Sequence, residues 1–318
     1  MEVKRENHPL VSRTTLGIAV SAAVVGAFFT VFPAYFPNDA EARGFSSGII
    51  GLTLMTAFVL NVLASTQTNR VIKHVGRKNT AILGILLNVG TGGLLVLSTS
   101  MNSSSLFLTF AILARALQGV GLAFVEVSHF ALFNAVYPNK VSLLASVYEL
   151  FKSAGFIVGP LIGGELSQHN GYAALYGAFT CFALFASFIV QLTYDKSVTD
   201  ISTEVLFKRS MSISVNTLND INSYKNLFSK KRVLLAALAS MITQGHFVLV
   251  DPVITLYWRN EFGLSEKGAG QLYSYPYLGF MLGNILNPVL YKRLSHRAWL
   301  SVGIFIEAAS VLVLFGPS

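Results

Sequence analysis

The chain has 318 residues, of which 53% are hydrophobic and 12% charged, with a mean hydropathy of +0.59, where a soluble domain carries about twice that charged share. A net charge of +8 raises the question of nucleic acid, but the basic residues sit in short loops between apolar runs, which suits a membrane surface and excludes that partner. Cys181 is the lone cysteine and lies inside an apolar run, which rules out an intramolecular disulfide and argues against metal–thiolate chemistry.

The apolar residues fall in blocks of about twenty, the length of a helix that crosses a bilayer core. In chain order they predict nine spans: Leu16–Phe36, Ser47–Thr68, Thr80–Ser98, Leu106–Val136, Val141–Leu166, Tyr172–Tyr194, Val233–Tyr257, Gly268–Leu290 and Trp299–Phe315. The first block is too long for a signal-peptide core and no small-residue cleavage site follows it, so it reads as a retained membrane helix. Between the sixth and seventh spans the chain turns polar and rich in Ser, Asn and Lys. Residues 1–195 therefore read as a six-helix half, 196–232 as a polar linker and 233–318 as part of a second half.

Placing the N-terminus in the cytoplasm puts eighteen Lys and Arg on that side and three, Arg43, Arg259 and Lys267, on the other. The positive-inside rule then sets the orientation. The turn that carries Arg70, Lys73, Arg77 and Lys78 marks the cytoplasmic face. An offset of 219 residues aligns Gly44-Phe45-Ser46 with Gly263-Leu264-Ser265, Pro33 with Pro252, and Lys73-His74 with Lys292-Arg293. Spans seven to nine thus repeat spans one to three, the parallel-repeat plan of many transporters. On that plan a complete second half needs three more spans beyond Ser318.

Ionisable residues inside spans are costly and point to a cavity or a partner. In the fourth span Arg115 and Glu126 share one helix face roughly 16 Å apart, with Gln118 and His129 near the same stripe. Either Arg115 fastens two helices through a carboxylate, or the stripe walls an aqueous cavity. In the fifth span Glu149 and Lys152 are three residues apart and able to pair; alternatively Glu149 exchanges a proton. Gly155, Gly159 and Gly163 recur at four-residue spacing, which lets another helix approach closely, and Pro160 bends the segment. In the seventh span Asp251 precedes Pro252, beside an expected helix break, with no cation within four positions. A lone carboxylate there suits a cationic ligand. His246 is rotated away from it and reads as a packing or gate residue, and Glu307 in the ninth span has no assigned partner. Asn102-Ser103-Ser104 is a glycosylation triplet on the non-cytoplasmic side.

The order of spans, the central linker and the half repeat resemble the major facilitator superfamily, whose members have two six-helix halves. The stretch ARALQGVG, Ala114–Gly121, resembles its fourth-helix motif, which implies proton coupling for Arg115. GFIVGPLIGG, Gly155–Gly164, matches its antiporter motif G-x-x-x-G-P-x-x-G-G at every fixed position, which implies proton-driven export. Within the superfamily the chain is similar to the vesicular amine transporters, most of all their polyamine branch, through EARGFSSGIIGL, SVYELFKSAGFIVGPLIGG, VLVDPVITLYWRNEFGLSEKGAG and VLFGPS. In that family an acid just before a seventh-helix proline binds the amine, and Asp251 stands there. Glu149 stands where the polyamine branch has a fifth-helix glutamate.

There are two departures from the pattern. The cytoplasmic motif normally reads G-x-x-x-D-R-x-G-R-K; here Lys73 replaces its acid while Gly76 and Arg77 remain, so the gate would work differently, against acids of the linker. The first span has no carboxylate, which argues against classical monoamines.

The expectation is an all-α integral membrane protein with the major facilitator bundle. It would be a secondary active transporter that exchanges protons for organic cations, amine- or polyamine-like, by alternating access. Asp251, Glu126 and Tyr257 are the candidate substrate-binding residues, and Arg115, Glu149 and His129 the proton-coupling ones. Lys73, Gly76, Arg77, Gly155, Gly159, Pro160 and Gly163 are the gating and motif residues. The partners are a small organic cation, protons and the bilayer; no cofactor or metal is expected beyond the proton gradient. An intracellular vesicle or other endomembrane is expected over the plasma membrane. Two alternatives stand beside this reading: an exporter of drugs or other small organic solutes, and a truncated, non-transporting membrane protein. With no nucleotide-binding loop, metal cluster or nucleophile–base pair, an enzyme is not expected.

Overall fold

Long apolar segments in hydrocarbon must satisfy their own backbone N–H and C=O groups, and helices do this within one segment. The computed structural model describes residues 13–136, 140–194, 229–290, 293, 298, 301–306 and 308–309. They form α1 (Arg13–Ala42), α2 (Ser47–Val75), α3 (Arg77–Thr99), α4 (Ser104–Val136), α5 (Val141–Thr193), α6 (Lys231–Phe262) and α7 (Glu266–Leu290). Residues 301–306 are also helical, and no strand occurs among the described residues. The first eight predicted spans each coincide with helix. Of the ninth, only part lies within the described residues, and Glu307 does not. The linker acids expected to face Lys73 lie outside them too.

The fifth and sixth spans run together as one 53-residue stretch, α5, interrupted only at Gly171 (φ 77°, ψ 174°). A straight helix of that length would be about 80 Å long, far beyond a hydrocarbon core of about 30 Å. The chain doubles back at Gly171 instead. Tyr148, near the start of α5, and Tyr194, just past its end, both lie against His129, with ring centroids at 5.3 and 6.2 Å. A backbone at this φ and ψ is open to glycine and strained for any other residue, so the reversal needs no separate loop. The two arms are residues 141–170 and 172–193.

α1 is the central helix: 78% of its most apolar window is buried, against 22% for α2. It lies against the first arm of α5, which also carries α7, while α3 packs between α4 and the second arm. The close approach of α1 and α5 comes from missing side chains. A β-carbon at Gly155 would strike the Ala23 carbonyl oxygen, and one at Gly159 would lie 2.8 Å from that of Ala27. On the outside, Leu52, Val59, Val62 and Leu63 of α2 and Phe185, Phe188 and Leu192 of α5 are exposed. Such a belt would drive aggregation in water and is the ordinary surface of a protein in lipid.

The helix break expected at Asp251-Pro252 is absent: α6 runs from Lys231 to Phe262 through Pro252. Proline removes one helical hydrogen bond, but membrane helices tolerate it where neighbouring groups satisfy the freed carbonyl.

Candidate functional site: charged residues inside the bundle

Arg115 is 1% exposed. Its guanidinium donates to the Leu54 carbonyl of α2 at 2.7 Å and to Oε1 of Gln118. Gln118 in turn donates to the Phe28 carbonyl of α1 at 2.7 Å. The rings of Phe32 and Phe58 lie under the cation, 4.9 and 5.8 Å from centroid to Cζ. These bonds fasten α4 to α1 and α2, and the planar fork of arginine suits two directed bonds at once.

Three turns along the same stripe, Glu126 meets Lys152 of α5, with Oε1 to Nζ at 2.5 Å. Lys152 also reaches Glu149 on its own helix at 3.6 Å. One ammonium thus serves two carboxylates from two helices. The three side chains are only 15–26% exposed. The aromatic rings of Tyr148 and Phe156 flank the ammonium at 5.9 and 5.8 Å. The next residue, Ser153, accepts a hydrogen bond from Asn284 of α7 at 3.2 Å, and Phe156 touches the rings of Tyr277 and Phe280. The charged cluster therefore sits beside the seam where α7 meets α5.

His129 is fully buried one turn from Glu126, with Nε2 at 3.2 Å from the Ser21 hydroxyl of α1. Tyr257 lies elsewhere, towards the end of α6, 54% exposed and edge-on to Phe262. Asp251 falls within α6, but its side chain, like that of His246, lies outside the described residues.

The Glu149–Lys152 pair is legible from spacing on one helix, whereas the link from Lys152 to Glu126 joins two helices. A signal for it existed. Glu126 lies twelve residues before Pro138 and Lys152 fourteen after it, so two antiparallel helices joined by that short turn bring them level. A second group had no such signal. At the opposite end of the bundle from the α2–α3 turn, Lys267 pairs with Glu165, and Glu266 accepts from the Tyr172 hydroxyl and pairs with Arg259 at 3.6 Å.

The sequence profile of the Major Facilitator Superfamily matches residues 14–318. The chain belongs to this superfamily. Its members are membrane transporters and not enzymes. Among relatives, the human MFS-type transporter SLC18B1 is 24% identical over 317 residues, 96% of this chain. The multidrug resistance protein MdtG of Yersinia enterocolitica is 26% identical over 307 residues, 91% of this chain and 69% of its own length. The probable vesicular acetylcholine transporter-B of Danio rerio is 24% identical over 293 residues, 88% of this chain and 54% of its own length. The chain spans 64% of the length of the human relative.

The superfamily's cytoplasmic motif can be followed in the α2–α3 turn. Gly76, with φ 85° and ψ 163°, ends α2 and starts α3 in one residue, its N–H bonded to the Ile72 carbonyl. Arg77 is half-buried and Lys73 exposed on the last turn of α2. Lys78 donates to the carbonyls of Gln191 and Tyr194, at 2.9 and 3.3 Å. It thereby caps the second arm of α5, where the helix dipole favours a cation. In the antiporter motif, Gly163 meets the ring of Tyr35, whose hydroxyl donates to the Pro160 carbonyl.

Proposed function

We propose that the protein is a secondary active transporter that exchanges protons for organic cations, amine- or polyamine-like, by alternating access between its two halves. The observation that carries this reading is the Glu126–Lys152–Glu149 cluster beside the α5–α7 seam. Charged groups at this depth persist where they hold one another and meet water or a ligand. Two carboxylates around one ammonium leave one negative charge to be balanced. A proton or an organic cation can balance it, and either one excludes the other, which is the requirement for exchange.

In this reading Asp251 holds a second cationic group of the solute from α6. Arg115 and His129 keep the stripe on α4 in register with α1. The match to the antiporter motif and the presence of a vesicular transporter among the relatives support exchange and an endomembrane location, with the N-terminus cytoplasmic and the division at 195 and 233. The similarity to a multidrug resistance protein favours one second reading, export of drug-like solutes.

The test is proton-gradient-driven uptake of labelled spermidine into proteoliposomes, with Asp251→Asn and Glu126→Gln beside the unaltered protein. Gradient-dependent uptake, lost in both variants, is expected. Uptake of lipophilic dyes with none of spermidine would replace the amine reading by the second one.

A further inference from the structure

We infer that Lys152 occupies, as a tethered side chain, the subsite that receives a primary or secondary alkylammonium group of the transported solute. The subsite is bounded by Glu126, Glu149, Tyr148 and Phe156. This rests on the exchange reading above and names what that site recognises.

The protein itself shows which chemistry the subsite accepts. The side chain of lysine is a primary alkylammonium on a four-carbon stem, and its Nζ sits 2.5 Å from one carboxylate and 3.6 Å from the other. Aromatic rings lie within 6 Å of it on Tyr148 and Phe156. Two carboxylates with ring faces beside them form a cation site that works through both N–H donation and cation–π attraction. A contact of 2.5 Å requires an N–H on the cation. A quaternary head has none, and its methyl shell holds the charge further out. The subsite therefore prefers primary and secondary ammonium groups over quaternary ones.

Two features argue against a merely structural pair. Two carboxylates converge on one cation from different helices, more acid than a neutral fastening needs. All three side chains also keep part of their surface open, at 15% for Lys152, 25% for Glu126 and 26% for Glu149, so the cluster is not sealed inside the bundle. Lys152 is flexible enough to leave: its stem has four rotatable bonds, and arginine, not lysine, is the residue of rigid fastening. The neighbouring Ser153–Asn284 bond and the Phe156–Tyr277 contact place the exchange beside α7. Displacement of Lys152 would thus be felt where the second half packs onto the first.

Equilibrium binding of labelled spermidine and of choline to the purified chain in nanodiscs tests this, with Lys152→Met and Lys152→Met/Glu126→Gln. Lys152→Met is expected to bind spermidine at least about tenfold more tightly, the scale of one desolvated charge pair. Choline should gain nothing, and adding Glu126→Gln should remove the gain. In the unaltered chain, spermidine should speed acylation of Lys152 by a brief pulse of amine-reactive reagent held in large excess over the spermidine, whose own amines also consume it, with the Lys152 adduct read by mass spectrometry. That second readout serves also if Lys152→Met does not fold. Unchanged or weaker spermidine binding in a folded Lys152→Met, or an acylation rate indifferent to spermidine, overturns the proposal. Equal gains for choline overturn the preference for N–H donors. Tight binding in Lys152→Met with no gradient-driven uptake by the unaltered chain would leave the subsite standing and remove the exchange reading.

Discussion

Lys267 on α7 is ion-paired with Glu165 on α5, across the α5–α7 seam and at the end of the bundle opposite the α2–α3 turn. The adjacent residue, Glu266, accepts from Tyr172 and pairs with Arg259. The contacts differ in burial, and that decides their weight. Glu165 and Lys267 are 48% and 42% exposed, while Glu266 is 19% exposed.

Lys267→Ala is therefore expected to shift the seam little, because exposed pairs contribute about 0.2–1 kcal/mol. Glu266→Gln removes an ion pair and weakens a bond to a half-buried hydroxyl, and should cost about 1–3 kcal/mol. Distances between spin labels on α5 and α7 will measure the opening. Equal broadening in the two variants would contradict the ranking.

The glycines that face α1 should tolerate nothing larger. Gly155→Ala places a β-carbon against the Ala23 carbonyl oxygen, and a backbone oxygen cannot swing aside as a side chain can. Thermal melting in detergent should show a loss of about 1–3 kcal/mol. Gly279→Ala, at a position with open space around it, is the control and should melt with the unaltered chain.

Gly171 tests backbone strain alone. Nothing lies within 4 Å of a β-carbon there, yet its φ is +77°. Gly171→Ala should still destabilise by about 1–3 kcal/mol. A melting curve superimposable on that of the unaltered chain would show that α5 can reverse with ordinary backbone.

Arg115→Lys keeps the charge and loses the fork. With bonds to Leu54 and Gln118 reduced to a single point of attachment, the loss should be about 1.5–3 kcal/mol. Its melting temperature should fall well below that of Lys78→Ala, whose partners are carbonyls at an exposed helix end.

The orientation can be checked by labelling. In a Cys181→Ser background, which removes the exposed native thiol, Lys73→Cys and Ser46→Cys are expected to react from opposite sides of the membrane. Cytoplasmic-side reaction is expected for Lys73→Cys, as eighteen basic residues against three require. Reaction of both from one side would remove the topology.

The sequence alone determined the helices, because a segment in hydrocarbon has one way to satisfy its backbone, and apolar length then marks each crossing. It also determined the pairing of Glu149 with Lys152, three residues apart on one helix, and the close-packing stripe of Gly155 and Gly159, since both follow from helical spacing. The family was legible for a related reason: its motifs are short local patterns, as in Gly155–Gly164. Local pattern misjudged Pro252, through which α6 continues as helix. Only the tertiary structure decided that Lys152 is shared with Glu126, that Arg115 answers to Gln118 and the Leu54 carbonyl, and that Glu165 and Glu266 meet partners from α6 and α7. Apart from the Arg115–Gln118 bond within α4, each of those contacts joins different helices, and helical periodicity says which face a residue occupies but not which neighbour that face will meet.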